Sequence, residues 1–129
     1  MERKRKDLVI FSVAAFSGLT IWLVIARGSG QAEAWDSPLF FRVGVPALVA
    51  VATAVGALRP GRAILWGFAT IALQPVALLL MSEPSPLMAV GLIFFSVFAL
   101  ICALGAFIGG LLRISIARLL GKAKNGAPV

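Results

Sequence analysis

The side chains that could carry chemistry in this 129-residue sequence are few. It has no histidine, no tyrosine and one cysteine, Cys102. These absences exclude Ser-His catalysis, bis-histidine haem, His-ligated metals and iron–sulfur or zinc sites. No glycine-rich phosphate loop is present either. An enzyme would have to rely on serines and on the carboxylates Glu33, Asp36 and Glu83.

Glu33 and Asp36 are the strongest candidate pair among these carboxylates. They are three residues apart and would share a face if their segment were helical, where they could bind a cation or serve acid–base chemistry. The alternative is a solvated acidic loop, with Asp36 near a helix N-terminus. We favour the loop, and we predict no catalytic residue, no cofactor and no metal site.

The amino-acid composition indicates that this chain lies in a membrane. The chain is 60% hydrophobic and 13% charged, with a mean hydropathy of +1.02, whereas soluble domains have about a quarter of their residues charged. Lipid solvates the outside of such a chain. The net charge of +7 does not indicate nucleic-acid binding, because the cations lie at the ends of apolar runs, where they face anionic headgroups.

Four apolar stretches are long enough to cross a bilayer, which takes about 20 helical residues. They cover residues 8–26, 39–58, 63–81 and 87–112, with a tail at 113–129. We predict an all-α integral membrane protein with a single domain, an antiparallel four-helix transmembrane bundle. The first stretch is longer than a signal-peptide core, so we expect an uncleaved helix. Ser37 is expected to cap the second span, with Pro38 at its first helical position.

The charges predict the orientation. The three segments that carry cations alternate with the two acidic loops, and cations are retained in the cytoplasm, so both termini are expected inside. Ten of the twelve cations belong to these segments: Arg3, Lys4, Arg5, Lys6, Arg59, Arg62, Arg113, Arg118, Lys122 and Lys124. Trp22 and Trp35 are then expected near the outer boundary and Trp66 near the inner one, as in an aromatic belt. Residues 113–121 are expected to extend the last span as a basic helix, and 122–129 to be disordered.

Several short motifs resemble a family of small four-span bacterial inner-membrane proteins without an assigned activity. They are residues 33–38 (Glu-Ala-Trp-Asp-Ser-Pro), 44–46 (Gly-Val-Pro), Gln74 and 91–95 (Gly-Leu-Ile-Phe-Phe). The resemblance covers residues 33–113. It departs from the family at one point, because a tryptophan is expected in the turn after the second span, whereas in this sequence the tryptophan comes later, at Trp66. It implies a four-span fold in the bacterial inner membrane and assigns no catalytic residue.

Small residues form a surface on the fourth span. Small side chains allow helix backbones to approach closely in lipid. The surface could pack within the bundle, which we favour, or dock a membrane-protein partner or a second copy. It consists of Ala99, Ala103, Gly105, Ala106, Gly109 and Gly110.

Each predicted span also contributes one polar side chain at a similar depth below the outer boundary. At 1.5 Å per residue, Arg42 lies about 5 Å deep, Thr20 about 9 Å, Gln74 about 10 Å and Ser96 about 13 Å. Glu33 and Asp36 lie above them. Our hypothesis is an outward-facing pocket in which Arg42 and Gln74 point inward and Arg42 pairs with Asp36 or Glu33. The alternative is that Arg42 snorkels to the outer headgroups.

Two functions follow from these features. The first is a non-enzymatic structural or accessory component of the membrane. The second is a small oligomeric channel or transporter built around Arg42 and Gln74, to which Pro46 and Pro75 would contribute breaks in the helices. An intramembrane enzyme is supported only by Glu33 and Asp36.

Overall fold

A computed structural model describes residues 1–31, 33–81 and 83–125, and this part of the chain is helical with no strand. The helices are α1 (Glu2–Ser29), α2 (Val45–Leu58), α3 (Ala63–Ile71), α4 (Leu73–Met81) and α5 (Leu87–Asn125). Short helical turns precede α2 and α3. Four continuous stretches are long and apolar enough to cross a membrane: Glu2–Ser29, Phe40–Leu58, Pro60–Met81 and Leu87–Lys122. The all-helical class is therefore confirmed, together with four helices long and apolar enough to cross a membrane.

The first and last helices are longer than the apolar stretches that predicted them. α1 includes the cationic N-terminal residues and ends at Gly30, whose positive φ of 68° suits glycine. α5 has 39 residues, about 58 Å of helix, against a hydrocarbon core of about 30 Å. The predicted helical extension at 113–121 is confirmed. The disorder expected from residue 122 is wrong as far as Asn125, and residues 126–129 lie outside the described part.

The start of the second span is set by a side-chain cap. The Leu39 N–H donates to Ser37 Oγ at 3.2 Å, and helical geometry begins at Pro38. Residues Phe40–Gly44 then form a π-helical turn, in which the Val45 N–H donates to the Phe40 carbonyl. The wide turn directly precedes Pro46, which has no N–H to donate. The predicted cap is confirmed.

Ser37→Ala should destabilise the protein by about 1 kcal/mol, because the N–H of Leu39 loses its acceptor at a part-buried helix start. Thermal unfolding in detergent measures the change. Ser115→Ala, at an exposed position inside α5, is the matched control. Equal midpoints for the two variants would contradict the cap.

The third span is interrupted just before Pro75, where a proline is expected to break a helix. α3 ends at Ile71 and α4 begins at Leu73, and the Ala72 N–H donates to the Ala69 carbonyl at 3.2 Å in a tighter turn. Pro75 cannot donate to the carbonyl of Ile71, four residues earlier. The break therefore has a proline cause.

The small-residue face of α5 packs on other helices of this chain. A Cβ added at Gly109 would overlap the carbonyl oxygen of Thr53 in α2, and one at Gly105 would lie 3.1 Å from Val49 Cγ1. Gly56 of α2 makes an equally close approach to the Ala106 backbone, and Gly67 of α3 to Ala103. On this face, the buried residues are Ala103, Gly105, Ala106, Gly109 and Gly110, while Ala99 is half-buried.

Tryptophans occupy the interior instead of forming a lipid-facing belt. Trp22 and Trp66 are each 2% exposed, and Trp35 is half-buried. Trp22 and Trp66 therefore do not face lipid, because the helix faces that carry them turn toward neighbouring helices, whereas their places near the two boundaries stay a prediction. Large apolar side chains such as Phe16, Leu80 and Leu100 remain exposed, as expected for surfaces that lipid covers.

Candidate functional site

Gln74 points into the bundle, as predicted. Its side chain is fully buried, and its Nε2 donates to the Gly18 carbonyl of α1 at 3.1 Å. A Cβ added at Gly18 would overlap the Thr70 carbonyl oxygen, so α1 and α3 approach closely beside this bond. Within the described residues, Gln74 Oε1 has no hydrogen-bond partner. The side-chain amide of Gln74 therefore links α1 to the start of α4, next to Pro75.

The other members of the predicted pocket do not converge on Gln74. Arg42 is exposed on the π-helical turn and forms no ion pair with Glu33 or Asp36; the ion pairs of the described part are Lys6–Glu2, Arg59–Asp7 and Arg62–Asp7. Exposure near a span end agrees with the snorkelling alternative.

The two predicted hydroxyls also face outward. Thr20 donates to the Phe16 carbonyl at 2.8 Å and Ser96 to the Leu92 carbonyl at 2.9 Å, so each is satisfied by its own helix. Both residues are exposed. The expectation that Thr20, Glu33, Asp36, Arg42, Gln74 and Ser96 line one outward-facing pocket is therefore wrong. Matching depths along four helices do not specify which way each side chain faces.

Aromatic rings fill the end of the bundle where the pocket was expected. The loop after α1 forms a short 3₁₀ turn, Ala34–Asp36, which places the Trp35 ring 5.0 Å from the Phe95 ring and 6.2 Å from the Phe94 ring. Trp22 lies 6.4 Å from Trp35 on the other side. This aromatic plug consists of Trp22, Trp35, Phe94 and Phe95, and it buries apolar area in place of a polar opening.

The acidic loop residues lie beside the plug. Glu33 is half-buried and Asp36 is exposed. Burial raises the pKa of the Glu33 carboxyl above its usual range, and the nearby charge of Asp36 raises it further. Asp36 belongs to the 3₁₀ turn that precedes the second span. Asp36 agrees with the alternative of a solvated acidic loop, whereas half-buried Glu33 departs from it.

A second cluster, at the opposite end of the bundle, has the most extensive ionic contacts. Arg59 donates twice to Asp7 Oδ1, from Nη2 and from Nε, the latter at 3.0 Å. Arg62 Nη1 donates to Asp7 Oδ2 at 3.3 Å. The Asp7 side chain is 16% exposed. Arg3, Asp7, Arg59 and Arg62 form what we call the cationic cleft, a hollow of about 450 Å³ that Leu58, Pro60 and Gly61 also line.

Neighbouring contacts hold the cleft in shape. The Trp66 Nε1–H donates to the Arg59 carbonyl at 3.2 Å, and Arg59 Nη2 reaches the Arg3 carbonyl at 3.5 Å. The turn between α2 and α3 is thereby tied to the first turns of α1. Electrostatic complementarity makes the cleft suitable for an anionic group, since three arginines line it with one carboxylate, which pairs with Arg59 and Arg62.

Sequence reasoning missed the role of Asp7, although a signal was present. Asp7 is a carboxylate among the cations immediately before the first span, and the orientation rule places that segment on the same side as Arg59 and Arg62. An acid there is the natural partner for the arginines of the turn. The cationic segments indicate the orientation of the chain, but Asp7 among them also indicates an ion pair with the turn.

Asp7→Asn should lower the thermal unfolding midpoint, because Arg59 and Arg62 lose their shared counter-charge while facing Arg3. The Asp7→Arg/Arg59→Asp double exchange should recover part of the loss. Glu2→Gln is the control, since Glu2 pairs with Lys6 at side chains that are 62% and 81% exposed, where ion pairs contribute little. Equal effects of Asp7→Asn and Glu2→Gln would contradict the structural role of Asp7.

The described residues contain no group of three or more His, Cys, Asp or Glu side chains that could hold a metal ion. Cys102 is 1% exposed on α5, in keeping with the packing role expected of a small apolar side chain.

Comparison of the chain with protein-family models, with curated proteins and with solved structures gives no match.

Proposed function

We propose that the chain is a non-enzymatic structural or accessory component of the bacterial inner membrane, which it crosses four times as an antiparallel bundle with both termini in the cytoplasm. The observation that carries the proposal is the filled interior. Backbones meet across Gly18, Gly56, Gly67 and Gly109, and the aromatic plug occupies the loop end. Such packing favours a rigid scaffold that presents its outer surfaces to lipid or to a partner.

The resemblance to four-span inner-membrane proteins supports the same location. The alternation of charges supports the orientation, since the cationic cleft and the tail of α5 would face the anionic inner leaflet. The partners proposed are the bilayer itself and either a membrane-protein partner or a second copy. Nucleic acid is not among them.

A channel or transporter with a pocket around Arg42 and Gln74 is not retained. Gln74 is fully buried and Arg42 is exposed, so the two cannot line one open pocket. The buried polar side chains Ser37, Thr70 and Gln74 are each engaged with a backbone group.

The orientation is tested with reporter fusions after Ala32, Gly61, Pro84 and Asn125. They should report outside, inside, outside and inside in that order, because the cationic segments remain in the cytoplasm. An external report after Gly61 would overturn the orientation.

The accessory role is tested by reconstitution and purification. Liposomes containing the chain should show no more ion or solute flux than empty ones, and purification in mild detergent should recover an unrelated membrane protein at fixed stoichiometry. Flux that scales with protein content and is altered by Gln74→Leu would contradict the proposal. A strictly homo-oligomeric preparation without flux would favour a structural role.

A further inference from the structure

A groove follows the seam between the third span and α5. It has two adjoining hollows of about 570 Å³ and about 480 Å³. The first begins at Arg62 and is lined by Ile64 and Phe107; the second passes Ala72, Pro75 and Ala99. Phe68 lines both, so the two hollows adjoin at this side chain along the surface.

The groove exists because the third span and α5 are in close contact at Gly67 and lie farther apart beside that contact. Gly67 brings α3 into contact with the α5 backbone at Ala103. On the lipid side of that contact, the small side chains of Ala72 and Ala99 and the break before Pro75 leave space between the helices. From Arg62 to Pro75 the groove extends for about 20 Å of helix rise, more than one leaflet's half of a hydrocarbon core about 30 Å thick.

Charge is concentrated at one end of this apolar groove. Arg62 lines both the groove and the cationic cleft, and its side chain is 64% exposed despite its contact with Asp7. Arg3 and Arg59 also line the cleft, and Asp7 is shared between Arg59 and Arg62. An excess of positive charge therefore lies where the apolar channel reaches the end of the bundle.

We infer that this groove binds one anionic phospholipid, with its phosphate at Arg62 and an acyl chain along Phe68 toward Pro75. A cation joined to an extended apolar channel complements an anionic headgroup joined to an acyl chain. A transmembrane helix of a partner, about 10 Å across, would not need a cation at one end. The inference does not depend on the proposed accessory function.

The test measures retained lipid by native mass spectrometry of the full chain in mild detergent, with phosphatidylglycerol and phosphatidylcholine of equal chain length as probes. The wild-type chain should retain phosphatidylglycerol over phosphatidylcholine. Arg62→Gln should weaken retention about tenfold, as expected for a lost charge-assisted contact. Arg118→Gln, an equal charge loss at an exposed position of α5, should leave retention unchanged.

A second variant examines the acyl part of the site. Ala72→Leu should fill the groove and weaken retention without altering the charge, whereas Ala50→Leu, at an exposed position of α2, should not. Circular dichroism checks that each variant is folded, and a loss of retention counts only for folded variants. If Arg62→Gln is unfolded, Arg62→Lys replaces it and should weaken retention because the planar fork is lost.

Four outcomes would overturn the inference. They are equal retention of the two lipids, equal losses in Arg62→Gln and Arg118→Gln, unchanged retention in Ala72→Leu, and competition by glycerophosphate as effective as that by phosphatidylglycerol. Disulfide-linked dimers formed by Ile64→Cys in a Cys102→Ala background would instead identify a second copy as the occupant, and would overturn it as well.

Discussion

Replacing Gly109 by leucine is expected to destabilise the folded chain by about 3 kcal/mol or more, near the upper end of what overpacking of a core costs. A Cβ at this position would overlap the carbonyl oxygen of Thr53, and backbone atoms cannot rotate away as a side chain can. α2 and α5 would have to separate, and the contacts at Gly105 and Gly56 would loosen with them. Unfolding in a denaturing-detergent titration measures the loss.

Gly121→Leu is the matched control for that substitution. Gly121 belongs to the same helix, and a Cβ there would meet nothing within 4 Å. Another change to leucine in the same helix, Phe95→Leu, is less suitable as a control, because Phe95 is 3% exposed and packs on Trp35. If Gly109→Leu were as stable as Gly121→Leu, the contact between α2 and α5 would not hold the bundle together.

Gln74→Glu is expected to be the most damaging polar substitution, at roughly 3 kcal/mol for an ionised side chain inside a membrane. The position is fully buried, and the carboxylate could no longer donate to the Gly18 carbonyl. Gln74→Leu should cost much less, because it removes the unpaired Oε1 together with the donor. The same detergent titration compares the three chains at neutral pH.

Gln31→Glu, the same exchange in an exposed loop, should be nearly silent. If Gln74→Glu were equally silent, Gln74 would be in contact with water, which would reopen the question of a polar path through the bundle. Partial recovery of Gln74→Glu at acidic pH is expected, because protonation removes the buried charge.

These two substitutions concern features that the sequence predicted to different extents. The glycines and alanines of residues 99–110 indicated a close helix contact because lipid provides little driving force for association except through packing. Their spacing could not choose between a contact within the chain and one with another chain. The structure shows a contact within the chain, because Gly109 lies against Thr53 and Gly110 against Ala63.

The polar residues show why depth along a helix is insufficient to predict a site. Arg42, Gln74, Thr20 and Ser96 lie at similar depths, and all were expected to face one pocket. Their directions depend on the rotation of each helix about its axis, which the π-helical turn before Pro46 and the break before Pro75 both alter. Gln74 turned inward, whereas the other three remained exposed.

Sequence patterns alone predicted four helices long and apolar enough to cross a membrane, the cap at Ser37, the break at Pro75 and the helical extension of the last span. Each follows from local chemistry: the length of an apolar run, the acceptor before a helix, or a missing N–H. Only the packed helices reveal that Asp7 pairs with Arg59 and Arg62 across more than 50 residues, that Trp35 packs at the loop end, and that a groove opens beside Gly67. These features depend on how helices rotate and approach one another, and close packing of many side chains fixes that outcome jointly.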